Sequence, residues 1–296
     1  MEPSREGLFE SQKSRLLDAL LPADIARRAE EVGVGKVRLD VVSLAALSVL
    51  GGAFIGLGGM FASSVLAGAD PAGPVRALAG LVFALGLVLV VVGGAELFTG
   101  NNLMVMAWAS GRVRLTEMLR AWAIVYLGNF VGSLGTALLV FLAGQPFLGD
   151  GTTAITALQI AAAKTSLPVA NAFFLGILCN VLVCLAVWLS YGARSTADKI
   201  LAVLFPVSAF VTAGFEHSVA NMYFVPLGFL LRDLGPETLL TDPAAVAAAE
   251  ALSWVGFIKN LTAVTFGNVI GGGILVGAVY WFIYLRRRKA DLPEQF

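Results

Sequence analysis

Only one histidine, His217, and two cysteines, Cys179 and Cys184, occur among the 296 residues, and charged side chains make up just 14% of the chain. These shortages exclude several classes of protein. A soluble domain needs a polar face on most of its helices, and 14% charge beside 58% hydrophobic residues does not supply one. The cysteines share one apolar segment and lack the spacing of a metal or redox motif, so they are expected to be buried thiols, and no cofactor or metal is expected. Net charge is zero and the basic residues form no patch that nucleic acid would bind. The first forty residues are charged and precede any apolar run, so no cleavable leader is expected. An intramembrane protease would need a Ser/His pair in a Gly-x-Ser-Gly context or paired aspartates, and neither is present; no enzymatic role is expected. Asn-Pro-Ala half-helix caps of the water or glycerol channel type are also missing, which disfavours a neutral-solute channel.

What remains is apolar sequence of membrane length. Stretches at 41–67, 77–109, 119–144, 168–191, 200–231 and 253–285 each meet the roughly 20 residues that a crossing needs. The reading is an all-α polytopic membrane protein: a cytoplasmic amphipathic segment at 1–40, a six-helix channel domain at 41–285 and a cytoplasmic tail at 286–296. In the first segment Leu16, Leu17, Leu20, Leu21 and Ile25 recur at helical spacing between basic residues, as in a short surface helix. Positive charge follows the second and fourth stretches (Arg112, Arg114, Arg120; Arg194, Lys199) and fills the tail (Arg286, Arg287, Arg288, Lys289). The positive-inside rule therefore puts both termini in the cytoplasm of a multi-pass inner-membrane protein.

Two stretches are interrupted. The second is cut by Gly93-Gly94-Ala95-Glu96-Leu97-Phe98-Thr99-Gly100-Asn101-Asn102, the fifth by Thr212-Ala213-Gly214-Phe215-Glu216-His217. Unwound backbone survives at membrane depth only where protein buries it or it lines a cavity. The breaks hold corresponding places in a three-plus-three division, and Gly128-Asn129-Phe130-Val131-Gly132 in the third stretch answers Gly267-Asn268-Val269-Ile270-Gly271 in the sixth. Three spans are an odd number, so the second half enters from the opposite side. The pattern predicts an inverted repeat whose paired broken helices mark a substrate pathway.

A charged side chain at mid-membrane costs about 2.5–3.5 kcal/mol on translocon scales, which makes Glu96, Glu216 and His217 functional candidates. A hydrogen-bonded structural histidine is the plain alternative. Histidine, however, changes charge near neutral pH, which suits proton handling.

The segments Gly94-Ala95-Glu96-Leu97-Phe98-Thr99-Gly100-Asn101, Gly176-Ile177-Leu178-Cys179-Asn180 and Gly214-Phe215-Glu216-His217-Ser218-Val219-Ala220-Asn221-Met222 resemble the hallmark motifs of the formate/nitrite transporter family, and the likeness extends over roughly residues 35–285. The resemblance implies a homopentamer of aquaporin-like protomers, each passing a small monovalent anion or its conjugate acid with protons through the lipid bilayer. It implies Thr99 facing His217 at the pore centre, Lys164 as the vestibule lysine, Asn180 as the pore asparagine, and apolar constrictions at Phe83, Leu87, Phe98 and Phe210. Glu96 and Asn101 are then expected to support the helix break, while Glu216 either lines the pathway or bonds loop amides. Lys164 could otherwise snorkel to headgroups, and Asn180 could simply bridge helices. The run Leu97-Phe98-Thr99-Gly100-Asn101-Asn102 leans toward formate, with nitrite and then hydrosulfide as alternatives.

Physical chemistry supplies a rationale for such a path. A bare anion in a low-dielectric constriction loses hydration at a Born cost of tens of kcal/mol. It must find donors along the way or cross as a neutral acid, and desolvation favours the neutral form with depth. Lys164 is expected to draw anions in.

Overall fold

A computed structural model describes residues 20–70 and 72–286, and every regular element among them is helical. The expectations placed on Leu16 and Leu17, and on Arg287, Arg288 and Lys289 of the tail, lie outside the described residues. The helices are α1 Pro22–Val37, α2 Val41–Leu66, α3 Gly73–Gly93, the short α4 Val105–Ala109, α5 Leu115–Leu142, α6 Thr152–Thr165, α7 Val169–Gly192, α8 Thr196–Thr212, α9 Ser218–Leu234, α10 Pro243–Ala251, α11 Trp254–Val269 and α12 Val279–Tyr284. A π-helical stretch, Ile270–Ala278, joins α11 to α12 into one 31-residue rod.

Five of these are long and apolar enough to cross a membrane: α2, α3, α5, α7 and the α11–α12 rod. The fifth apolar stretch is instead divided between α8 and α9, 17 residues each. Polar caps start the helices that follow loops. Asp40 accepts from the N–H groups of Val42 and Ser43 at 3.0 Å, and Ser195 and Asp198 form a reciprocal capping box on α8.

Packing runs in matched pairs. Helix α2 lies along α5, α7 lies along α11, and the interrupted elements α3 and α8 face each other between them. Close approach in the first two pairs depends on the glycines of the repeated Gly-Asn-x-x-Gly motif. A Cβ on Gly132 would strike the carbonyl of Val49, and one on Gly271 would strike that of Ile177. Such small residues let backbones meet where no hydrophobic gradient drives association. Helix α9 runs through the middle, with Ser218 to Phe229 buried throughout.

The interval between the third and fourth apolar stretches, to which the sequence assigned no element, is mostly filled by α6. Its buried residues Ala154, Ala157, Leu158, Ala161, Ala162 and Thr165 follow helical spacing, and α6 packs on α9 and α10.

Candidate functional site

Both interruptions are built the same way. Helix α3 ends at Gly93 and the chain turns through Gly94 at φ 83°; α8 ends at Thr212 and turns through Gly214 at φ 71°. Only glycine enters that left-handed region without penalty. Past each turn the backbone leaves its own helix, and its polar groups need partners from elsewhere. The Glu96 N–H reaches the carbonyl of Leu47 at 3.1 Å, and the Glu216 N–H that of Leu175 at 3.4 Å. Asn129 then accepts from the Phe98 N–H (2.9 Å) and donates to the Glu96 carbonyl (2.8 Å). Asn268 repeats this on the other break, accepting from the Ser218 N–H (3.0 Å) and donating to the Glu216 carbonyl (3.1 Å). Two fully buried asparagines thus satisfy backbone groups that would each cost several kcal/mol if left bare in hydrocarbon.

Each break carries a buried glutamate in an ion pair. Lys164 on α6 donates to Glu216 at 2.9 Å, and Lys36 on α1 donates to Glu96 at the same distance. Asn221 and Asn260 donate to Glu216 at 2.7 and 3.3 Å; Asn101 donates to Glu96 at 2.7 Å and accepts from Lys36 at 2.7 Å. Glu96 and Glu216 thereby hold polar side chains and a cation rather than loop amides.

Between the two pairs the chemistry differs. His217 caps α9, its Nδ1 accepting the Ala220 N–H at 3.0 Å, while its Nε2 stands 2.9 Å from Thr99 Oγ1. The first contact fixes the second: with Nδ1 engaged as an acceptor, the neutral ring carries its proton on Nε2 and donates it to Thr99. Among the described residues that leaves the Thr99 hydroxyl hydrogen without an acceptor. The Thr99 carbonyl is held by Asn180 Nδ2 (3.2 Å) and the Cys184 thiol (3.3 Å); Asn180 also reaches Asn102 and the Asn268 carbonyl at 2.7 Å.

Two cavities of about 390 Å³ each flank this centre. One is lined by Lys164, Glu216, His217, Phe83, Phe210, Phe215 and neighbours. The other is lined by Lys36, Glu96, Asn101, Leu87, Leu97, Gly100 and neighbours. Phe83 faces the first and Leu87 the second, four positions apart on α3, so the barrier between the cavities is about 6 Å thick along that helix. The Phe83 ring meets Phe210 edge-on at 5.8 Å, and Phe210 stacks on the His217 ring at 5.9 Å.

The structure therefore brings His217, Lys164, Glu216, Phe83 and Phe210 to the first cavity and Glu96, Asn101 and Leu87 to the second, while Thr99 and Asn180 line neither and are tied to the divide by hydrogen bonds. It does not bring Phe98 there. That ring lines neither cavity and packs against Tyr126 at 4.9 Å and Trp122 at 6.0 Å. Its position follows from its N–H, which is bound by Asn129 and turns the side chain toward α5. Lys164 does not snorkel, because it is engaged with Glu216 and lines a cavity. Sequence reasoning missed Lys36, Asn221 and Asn260, and read Asn129 and Asn268 only as marks of a repeat. The recurring Glu-x4-Asn spacing at 96/101 and 216/221 is the signal that would have found Asn221.

Comparison with known proteins gives a consistent picture. The family model for the formate/nitrite transporter matches residues 23–282. The chain is 42% identical over 273 residues to the formate channel FocA of Escherichia coli (strain K12), covering 91% of this chain and 96% of that one. It is 38% identical to FocA of Haemophilus influenzae (88% and 93% covered) and 37% identical to a probable formate transporter of Methanothermobacter thermautotrophicus (90% and 97%). Among solved structures, a pentameric formate channel with formate bound aligns at TM-score 0.77 with 40% identity, over 83% of this chain and 98% of that one. An ion channel of the same family aligns at 0.77 with 30% identity, over 88% and 98%.

Proposed function

Because this chain belongs to the formate/nitrite transporter family, we propose that it is a formate channel of the cytoplasmic membrane. The observation that carries the reading is the pair of cavities separated by one helical turn of apolar side chains, with a single hydrogen-bonded donor pair, Thr99 and His217, at the divide. The recurrence of break, glutamate, lysine and asparagine on both sides of that divide supports six crossings in a three-plus-three inverted repeat, with α8 and α9 together making the fifth. Likeness to a pentameric channel supports a homopentamer with one pore per protomer. The Lys164 cavity then faces outward and the Lys36 cavity faces the cytoplasm, which holds both termini.

A formate ion entering the Lys164 cavity keeps water and cationic neighbours. Ahead of it the rings of Phe83 and Phe210 offer no donors, and a bare charge would lose its hydration at a cost of many kcal/mol. Taking up a proton removes that cost, and the neutral acid then needs one donor and one acceptor to cross. Thr99 supplies the donor through its hydroxyl hydrogen. His217 sets the direction of that hydroxyl by donating from Nε2. A second proton on the imidazole would face Nδ1–H against the Ala220 N–H, so the α9 cap keeps the ring neutral. On this reading His217 orients the donor, and the proton that accompanies formate is delivered from bulk solution along the water of the cavity.

The test is uptake of radiolabelled formate into proteoliposomes across a range of pH. Saturable or pH-dependent uptake above protein-free vesicles is expected. Uptake no faster than through bare lipid would overturn the reading.

A further inference from the structure

The two lysines at the cavities are poor attractors of anions, because each is spent on a buried carboxylate. Lys164 sits 2.9 Å from Glu216 and Lys36 2.9 Å from Glu96, and the field of such a pair falls off faster than that of a single charge. The cation that remains lies further out. Arg76, in the first turn of α3, lines the Lys164 cavity and also a wider cavity of about 720 Å³ beyond it. Both share Leu66, Ile160, Ala163, Val211 and Gly214, so the wider cavity is the mouth of the narrower one. Its polar lining is Thr152, Thr156, Gln159 and Asp242. Asp242 is already engaged in capping α10, accepting from the N–H groups of Ala244 and Ala245. Among the described residues the Arg76 side chain has no hydrogen bond or ion pair; only its carbonyl is used, by Thr212. Among the described residues the Lys36 cavity has no counterpart, its lining holding no second cation.

We propose that Arg76 is an anion-capture site at the outer mouth, the first protein group that a small carboxylate meets on its way to the Thr99–His217 divide. This rests on the channel reading above. Seven residues of α3 separate Arg76 from Phe83, about 10 Å of rise, which is close to the Debye length at 0.1 M salt. A carboxylate at Arg76 is thus within reach of the vestibule but still hydrated and ionised. An unpaired guanidinium in a low-dielectric funnel raises the local concentration of anions, and its planar fork matches two carboxylate oxygens. The missing counterpart at Lys36 makes capture one-sided: it speeds entry from the Arg76 side when formate is scarce and matters little when formate is abundant.

The experiment is initial-rate formate flux in proteoliposomes, entering from the Arg76 side, for the parent, Arg76→Gln and Arg76→Lys. Arg76→Gln is expected to lower flux at limiting formate by about three- to tenfold, with a much smaller change at saturation. The loss should shrink as ionic strength rises, and Arg76→Lys should restore most of it. Unchanged flux at limiting formate in Arg76→Gln overturns the proposal. So does a loss equal at limiting and saturating formate that Lys does not restore, which marks a packing role. If the parent itself conducts no formate, it is the channel reading that fails, so the two failures are distinguishable.

Discussion

Thr99 and His217 are fully or almost fully buried, and each uses the other for its polar atoms at the divide. Replacing Thr99 by Val keeps the volume but removes the partner that Nε2–H has among the described residues. A buried donor left bare costs about 1–3 kcal/mol. If the hydroxyl is also the donor that meets the permeant acid, Thr99→Val should lower formate flux by at least about tenfold, the equivalent of one lost hydrogen bond. Thr99→Ser should keep most of it. Flux measured on both variants in proteoliposomes checks this; parental flux in Thr99→Val would remove the hydroxyl from the pathway. His217→Asn separates the ring's two duties. Asparagine is a good N-cap, so α9 should still begin at the same place, but its short side chain has no second nitrogen to reach Thr99. The channel should assemble, but formate flux should fall by about tenfold, the equivalent of one lost hydrogen bond, with its pH profile retained because the ring carries no proton to the permeant. Parental flux in liposomes would show that the imidazole serves only as a cap.

The breaks are where sequence and structure agree most, and the reason is chemical. Glycine followed by a glutamate inside an apolar run violates the rules of a membrane helix so strongly that the violation itself is legible. What answers the violation is not legible. Asn129 lies 31 positions from the Phe98 N–H it receives, and Asn268 lies 50 from Ser218. Uniform apolarity around α5 and α11 gives no face that would point either asparagine inward. The same uniformity left Phe98 indistinguishable from Phe83 and Phe210, although one packs on Tyr126 and the others line a cavity. Helix α6 was missed for the opposite reason, being too short and too polar to stand out as a span, yet its alanine spacing is helical. The stitching makes an element-scale expectation. Asn129→Ala and Asn268→Ala each strand one N–H and one carbonyl of a break. Each should destabilise the folded channel by about 2–6 kcal/mol, two groups at the usual cost of a bare buried partner. A thermal unfolding midpoint in detergent within error of the parent, for either variant, would mean that water or relaxation replaces the amide.

At the scale of the whole molecule, α1 is part of the channel rather than an appendage on its surface. Its last turn carries Lys36, whose ammonium meets Glu96 and Asn101 at the second cavity, and it is tied a second time by Arg112 to the buried Glu30 at 3.2 Å. On the same helix Ile25, Ala26, Ala29, Val34 and Val37 are buried against the membrane unit. The boundary that composition draws at residue 40 therefore falls after, not before, a group that the first break needs for its charge balance. Lys36→Met removes the cation and leaves Glu96, 6% exposed, with Asn101 alone. Breaking one partner out of a buried pair costs about 3–5 kcal/mol, whereas removing both charges together is far milder. Lys36→Met should thus lower the unfolding midpoint clearly, and adding Glu96→Gln should recover most of the loss, because the amide can still bond Asn101 without a stranded charge. The double-variant cycle isolates the pair from any packing of the lysine stem. Strict additivity of the two substitutions would show that Lys36 and Glu96 are neighbours without being coupled, and that α1 is held by its apolar face alone.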